Sequence, residues 1–419
     1  MLETNVSYIP RDSYVQRIRP YIDSHIIKAL TGQRRVGKSY ILYQLIDELR
    51  KTRPGANIVY VNTEFAEFAR IKDHDDLYQF VSSRFKAGSA NYVFIDEIQE
   101  ISRFEQALRS FFAEETWDIY ITGSNARLLS GDLATYLAGR YVQIPVHPLA
   151  YAEFLTFYGF ENSSETLGKY LRIGGMPYLA SLLKTLPHEP GLFPEARSEA
   201  LAFEYLKNLY ESILLRDVVA RENIRNVRFL ENLTAYLADN TGSLFSANNI
   251  SKYLKNQKIN MPVQTVISYL GALERSFLVH KVQRADVAGL KIFEIGEKYY
   301  FEDPGLRNVC ARTAPPSDIA KLVEQAVYLF LVQRGYTVHV GKNNAVEIDF
   351  AAEKQGARLY VQAAWHIHDE DTLRREYGGL EGIADHFPKY VVTMDDGPPR
   401  QSPRGIRWMN LKDFLVTEL

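Results

Sequence analysis

Residues 24–51 read SHIIKALTGQRRVGKSYILYQLIDELRK. SHIIKALTG is a short apolar strand running into a glycine turn. From Lys38 onward, apolar residues recur at three- and four-residue spacing, which predicts a helix. Between them stands GQRRVGKS, Gly32 to Ser39, which satisfies G-x-x-x-x-G-K-[ST] in full. The glycines let the backbone turn tightly around a phosphate, and successive N–H groups at the positive end of the following helix hold it. The nucleotide-contacting set is therefore Gly32, Gln33, Arg34, Arg35, Val36, Gly37, Lys38, Ser39 and Tyr40. Lys38 reaches the β- and γ-phosphates of ATP, and the Ser39 hydroxyl binds Mg²⁺. Strand before and helix after are the context this pattern requires.

Working outward, NIVYVNTE (57–64), YVFIDEI (92–98) and WDIYITGS (117–124) are apolar runs of buried-strand character. Separated by helices, they predict a parallel α/β sheet covered on both faces. Four apolar residues bring Asp96 and Glu97 to the end of a buried strand. There Asp96 is placed to bind Mg²⁺ and Glu97 to polarise an attacking water. ITGSNARLL (121–129) ends another strand in a polar cluster. Ser124 or Asn125 is a candidate γ-phosphate sensor; helix N-capping is the competing role for the same residues.

Composition sets the bounds. The chain has 419 residues, 46% apolar and 24% charged, ordinary for a folded protein of several domains. With 49 Lys+Arg against 51 Asp+Glu, the net charge is −2 and offers no bulk field for nucleic acid or membrane. The single cysteine, Cys310, excludes an internal disulfide and a thiolate metal cluster, and fits a reducing, cytoplasmic setting. MLETNVSYIP lacks the pattern of a signal peptide, and no apolar run is long enough to span a membrane.

Together these motifs resemble the AAA-type P-loop ATPases. More narrowly they resemble a prokaryotic family of ATP-binding proteins with a G-x-R-R-x-G-K-[ST] loop, an Asp-Glu strand end and a Gly-Ser-Asn sensor strand. A Gly-Arg step, Gly139-Arg140, then leads into HPLAYAEF (147–154), and a Gly-Gly-Pro-type segment follows at Gly174, Gly175 and Pro177. The resemblance implies an ATPase in which Lys38 and Mg²⁺ neutralise charge, Glu97 orients water and Asn125 senses phosphate. It makes Arg140 the leading arginine-finger candidate, acting in trans within a homo-oligomer, with Arg127 and Arg216 as weaker alternatives. It also implies a C-terminal domain related to the PD-(D/E)xK nuclease fold. The expected layout is an AAA-type core over 1–160, a helical lid or connector over 161–240, a winged-helix-like module over 241–304 and a nuclease-like domain over 305–419. Two local expectations go with it: a turn at DPGLRN (303–308) and a linker at APPSD (314–318).

The module rests on SANNISKYLKNQKINMPVQTVISYLGALERSFLV (246–279), two short helices joined by a turn, then a hairpin made of FLVHKVQ and KIFEIG. Residues 240–300 carry eight Lys+Arg against four Asp+Glu, a local excess that admits duplex DNA. The second helix offers only Gln264, Thr265, Ser268 and Arg275, a thin set for base reading, so protein docking is the competing role.

In the C-terminal part, Glu324 falls on a helix, Asp349 in VEIDF (346–350) at a strand end, and Gln362 in RLYVQAAW (358–365). The motif's lysine position holds Ala364, whose methyl can neither donate a proton nor offer charge. That argues against cleavage and leaves Glu324, Asp349 and Gln362 as a degenerate nuclease site. His366 and His368 read as solvent-facing polar residues, with too few neighbouring ligands for a metal. Three roles for the nucleotide cycle stay open: a DNA-associated ATPase, a protein-binding regulatory switch, and an ATP-gated nuclease.

Overall fold

A computed structural model describes residues 7–126, 137–184, 194–244, 246–256, 261–287, 296–312, 318–343, 346–367, 369–397, 400–402 and 404–419. The chain divides into two compact units, one of residues 1–147 with 275–277, the other of 148–274 with 278–419.

The first unit is built on five strands: β1 (Ile27–Thr31), β2 (Asn57–Asn62), β3 (Asn91–Asp96), β4 (Asp118–Gly123) and β5 (Tyr141–Pro145). They form one sheet in the order β2-β3-β4-β1-β5, and every pairing is parallel. The continuous apolar runs of β1, β3 and β4 follow from this, because a parallel sheet between helices is dry on both faces. Val93, Ile95, Ile119 and Ile121 share a core with Leu108 and Phe111 of the helix Phe104–Glu114. The one lysine inside β1, Lys28, is buried and ion-paired with Asp118 at the start of β4.

The second unit starts with helices Tyr151–Tyr158, Ser164–Ile173, Pro177–Lys184 and Pro194–Ser212, continues through a π-helical stretch, Ile213–Ala220, and adds Val227–Asp239. Gly174 and Gly175 separate two of these for a packing reason. A Cβ on Gly174 would lie 2.1 Å from Asp303 Oδ1, and one on Gly175 would lie 2.4 Å from the Leu149 carbonyl oxygen. Gly175 N–H donates to Asp303 Oδ2 at 2.6 Å. DPGLRN, expected as a turn, instead opens the helix Pro304–Cys310. Asp303 caps it by accepting from Leu306 N–H, and Pro304 takes the first position, where its missing N–H costs nothing.

The helices Ala247–Asn256 and Val263–Arg275 stand where two short helices were expected. After them, strand β6 (Val279–Val282) pairs antiparallel with β8 (Lys298–Phe301). KIFEIG, expected as the second strand of the hairpin, lies outside the described residues over 291–295. Between β6 and β8, β7 (Arg284–Asp286) leaves the hairpin and pairs with β9 (Thr337–Asn343).

β9 belongs to a seven-stranded sheet with β10 (Val346–Lys354), β11 (Ala357–Ala363), β12 (Lys389–Thr393), β13 (Arg400–Gln401) and β14 (Arg407–Asn410), in the order β13-β14-β12-β11-β10-β9-β7. The boundary expected at residue 305 therefore cuts through one sheet, whose edge strand comes from the 241–304 stretch. The linker expected at 314–318 falls outside the described residues except for Asp318, which is buried and ion-paired with Arg307 at 2.7 Å. No helix among the described residues is long and apolar enough to cross a membrane.

Candidate nucleotide site

The phosphate loop leaves the C-terminal end of β1 and closes at Gly37, whose φ of 97° turns the chain into the helix Lys38–Thr52. Gly32 is obligatory for space as well as conformation, since an added Cβ would lie 2.0 Å from the Val146 carbonyl oxygen. Arg35, also at positive φ, is exposed at the bend; Arg34 is half-buried, and Gln33 and Val36 are buried. Tyr40 lies exposed in the first turn of the helix and meets Tyr43 edge-on.

Lys38 is buried, and its ammonium donates to the carbonyl oxygens of Gly32 (3.0 Å) and Gln33 (3.1 Å). It also lies 3.5 Å from Glu97 Oε1. The spacing of the motif does this: the helix's first residue points its side chain back along the loop toward the strand ends.

Asp96 and Glu97 meet at the end of β3 but have opposite electrostatics. Asp96 is fully buried. Tyr60 hydroxyl (2.9 Å) and the Asn62 amide (3.2 Å) donate to its Oδ2, the Thr122 hydroxyl donates to its Oδ1, and Ser39 also bonds to it. All four partners are neutral, so burial, with Glu97 adding to it, pushes the carboxyl above its ordinary value. Burial alone would raise Glu97 too. Lys38, the Gln99 amide and Arg34 outweigh it and hold Glu97 below its ordinary value. Glu97 sits at φ 50°, and its backbone N–H donates to Thr122 Oγ1 at 2.9 Å. One hydroxyl, from β4, thus fixes both Asp96 and Glu97.

Ser124 and Asn125 are buried just beyond the end of β4, and Gln99 Nε2 reaches Ser124 Oγ at 3.3 Å. Lys38, Ser39, Asp96, Glu97 and Thr122 are thereby brought together at the carboxyl ends of β1, β3 and β4, where open α/β sheets bind ligands.

Residues 24–155 match a family described as "AAA domain", and residues 190–317 match "Domain of unknown function (DUF8612)". An uncharacterized protein of Haemophilus influenzae is 34% identical over 391 residues, 92% of this chain and 93% of that one. The chain belongs to the same family, one built on an AAA domain. An uncharacterized protein of Methanocaldococcus jannaschii is 26% identical over 355 residues, 83% of this chain and 76% of that one. Among solved structures, the Aeropyrum pernix ORC1 protein in complex with DNA is similar with a TM-score of 0.31 at 10% identity, covering 74% of this chain and 94% of that one. AMPPCP-bound DnaA from Aquifex aeolicus gives 0.32 at 16% identity, covering 65% and 90%. Scores this low assign neither fold nor function.

The first unit also contains a residue that motif reading missed, upstream of the matched AAA domain. Arg11 is buried, and its guanidinium donates to the carbonyl oxygens of Val36 (2.9 Å) and His147 (3.0 Å). From just before the helix Asp12–Ile18 it ties the phosphate loop to the chain leaving β5, and no local pattern marks it.

Arg140 lies at the other end of the sheet. Its carbonyl accepts from Ile27 N–H at 2.8 Å, beside the first residue of β1, and its exposed guanidinium lies over Phe112 at 5.2 Å. A five-residue strand, roughly 16 Å, separates that edge from the loop, so Arg140 does not reach its own chain's phosphate site. Arg127 is outside the described residues, and Arg216 is exposed in the π-helical stretch.

In the second unit, Glu324, Asp349 and Gln362 do converge. Gln362 Oε1 accepts from Asp349 N–H at 3.3 Å, and Ala363 N–H donates to Asp349 Oδ2 at 2.9 Å. Lys298, from β8, lies 2.8 Å from Glu324 and 3.6 Å from Asp349. His366 pairs with Asp395 at 2.6 Å, while His368 lies outside the described residues.

Proposed function

We propose that the chain is a Mg²⁺-dependent ATPase that hydrolyses ATP to ADP and phosphate and uses the nucleotide as a switch. The observation that carries this is the convergence of the Lys38 ammonium and the Glu97 carboxylate beside the glycine loop. Asp96 and Ser39, already bonded to each other, suit a divalent cation, because the buried carboxyl has only neutral partners. Bound there, Mg²⁺ would supply charge neutralisation to the phosphates and an ordered in-line geometry.

The chain's own residues supply the rest. Backbone N–H groups of the loop hold the phosphates, and Lys38 exchanges its loop carbonyls for phosphate oxygens. Glu97, kept ionised at neutral pH by Lys38 and Gln99, accepts hydrogen bonds from the attacking water and orients it. Asn125, next to that carboxylate's strand end, senses the terminal phosphate. Arg140, too far to act within one chain, completes a neighbouring chain's site in a homo-oligomer.

For the output of the switch, the exposed face of the helix Val263–Arg275 favours a protein partner over DNA. Val263 is 36% exposed and Ile267 47%, with Gln264 and Ser268 beside them and an acid, Glu274, further along. Reading a major groove calls for Arg, Lys, Asn or Gln at base edges, and of these the helix offers only Gln264 and, at its last position, the half-buried Arg275. Phosphate release by the purified chain, with and without duplex DNA, tests both readings. Turnover lost in Lys38→Ala supports the ATPase. Stimulation by DNA that falls with salt would restore the DNA-associated role.

A further inference from the structure

The carboxylates expected to form a degenerate nuclease site have a third companion, Glu347, and a cation of their own. The resemblance to the nuclease fold implies a divalent metal here, held by Glu324 and Asp349. The residues do not fit it. Lys298 Nζ lies 2.8 Å from Glu324 Oε1, 3.0 Å from Glu347 Oε1 and 3.6 Å from Asp349 Oδ1, and the residue is 3% exposed. An ammonium has three protons, and here it faces three carboxylates from two elements, the helix Ile319–Gln333 and β10.

Other protein groups share these carboxylates. Tyr300, two residues along the same strand as Lys298, donates to Glu324 Oε1 at 2.6 Å, and Ala363 N–H holds the other oxygen of Asp349. Arg284 of β7 approaches Glu347 Oε2 at 4.0 Å. Gly242 stands against Glu324, where an added Cβ would come within 2.9 Å of Oε2. A Mg²⁺ ion needs oxygens at about 2.0–2.1 Å around one point. The point common to these oxygens is the ammonium nitrogen itself, and two cations cannot share it.

We propose that Lys298 is the resident cation of the Glu324–Glu347–Asp349 cluster, so that this end of the sheet excludes divalent metal, cleaves no phosphodiester bond, and joins the β6–β8 hairpin to the sheet. The lysine missing at Ala364 is thus not restored in a catalytic place. It arrives from β8 and takes the metal's position. The inference does not depend on the nucleotide site.

The test is Mn²⁺ binding to the nucleotide-free full chain, followed by electron paramagnetic resonance, in wild type, Asp349→Asn, Lys298→Met and the double variant. The expected result is equal stoichiometry in wild type and Asp349→Asn, because Mn²⁺ at Ser39 and Asp96 is common to both. Lys298→Met should gain one Mn²⁺ per chain, lose it again on adding Asp349→Asn, and show a thermal midpoint that Mn²⁺ raises. A Mn²⁺ lost from wild type on Asp349→Asn would overturn the proposal, as would a folded Lys298→Met that gains none. If Lys298→Met does not fold, the wild type and Asp349→Asn pair still decides between the two outcomes.

Discussion

The Lys38 ammonium lies 3.5 Å from Glu97 Oε1 while donating to the carbonyl oxygens of Gly32 and Gln33. The same lysine that would bind phosphate therefore sets the charge on the residue that would orient water. Lys38→Met should lose most nucleotide affinity, by about 10²-fold for a charge-assisted contact of about 3 kcal/mol. Its Glu97 carboxyl should also titrate higher than in wild type, because the first charge holding it down is gone. Equilibrium titration with a fluorescent ATP analogue measures the affinity, and carboxyl titration by NMR measures the second effect.

Gly32 has no room for a side chain. Gly32→Ala places a Cβ 2.0 Å from the Val146 carbonyl oxygen, so either the loop or the end of β5 must move. We expect a folded but destabilised chain, by about 1–3 kcal/mol from overpacking, with nucleotide binding lost more completely than stability. Urea unfolding and ATP titration on one sample separate the two.

Thr122 bridges the acidic pair, accepting from Glu97 N–H and donating to Asp96 Oδ1. Thr122→Val keeps the shape and removes both bonds. Leaving two buried polar groups unpaired costs about 1–3 kcal/mol each. Turnover should fall by roughly tenfold or more while ATP affinity stays close to wild type, since Lys38 and the loop are untouched. A matching loss in affinity would mean that Thr122 shapes the loop rather than the acids.

Much of the AAA domain was legible because its signals are local. The glycine loop, the apolar runs of β1, β3 and β4, and the Asp-Glu step each declare themselves within ten residues. What escaped is held by contacts distant in sequence. Arg11 reaches Val36 and His147 across 25 and 136 positions. Lys298 carries no local signal, because its ammonium comes from a hairpin that no motif links to the strand RLYVQAAW. DPGLRN failed for another reason. Gly and Pro there punctuate a helix start, with Asp303 as cap, and the same letters also spell a turn.

The carboxylate cluster makes a pH prediction with a definite sign. Asp349 is pushed from 3.8 up to about 7, so between those values the folded chain binds a proton that the unfolded chain has released. Stability contributed by this group therefore falls as pH rises through that window, at a slope of no more than about 1.4 kcal/mol per pH unit. Asp349→Asn should flatten the profile between pH 4 and 7 and show its largest relative gain at pH 7. Urea midpoints at three pH values check it.

The central claim is hydrolysis of ATP at the Lys38–Glu97 site. The direct measurement is phosphate release from ATP and Mg²⁺ by the wild-type chain against Glu97→Gln, with ATP affinity measured on both. The account predicts turnover in wild type, a fall of about 10²–10⁴-fold in Glu97→Gln as expected for losing the group that orients water, and unchanged ATP binding. Equal turnover in the two proteins, or no binding of ATP by wild type, would contradict it.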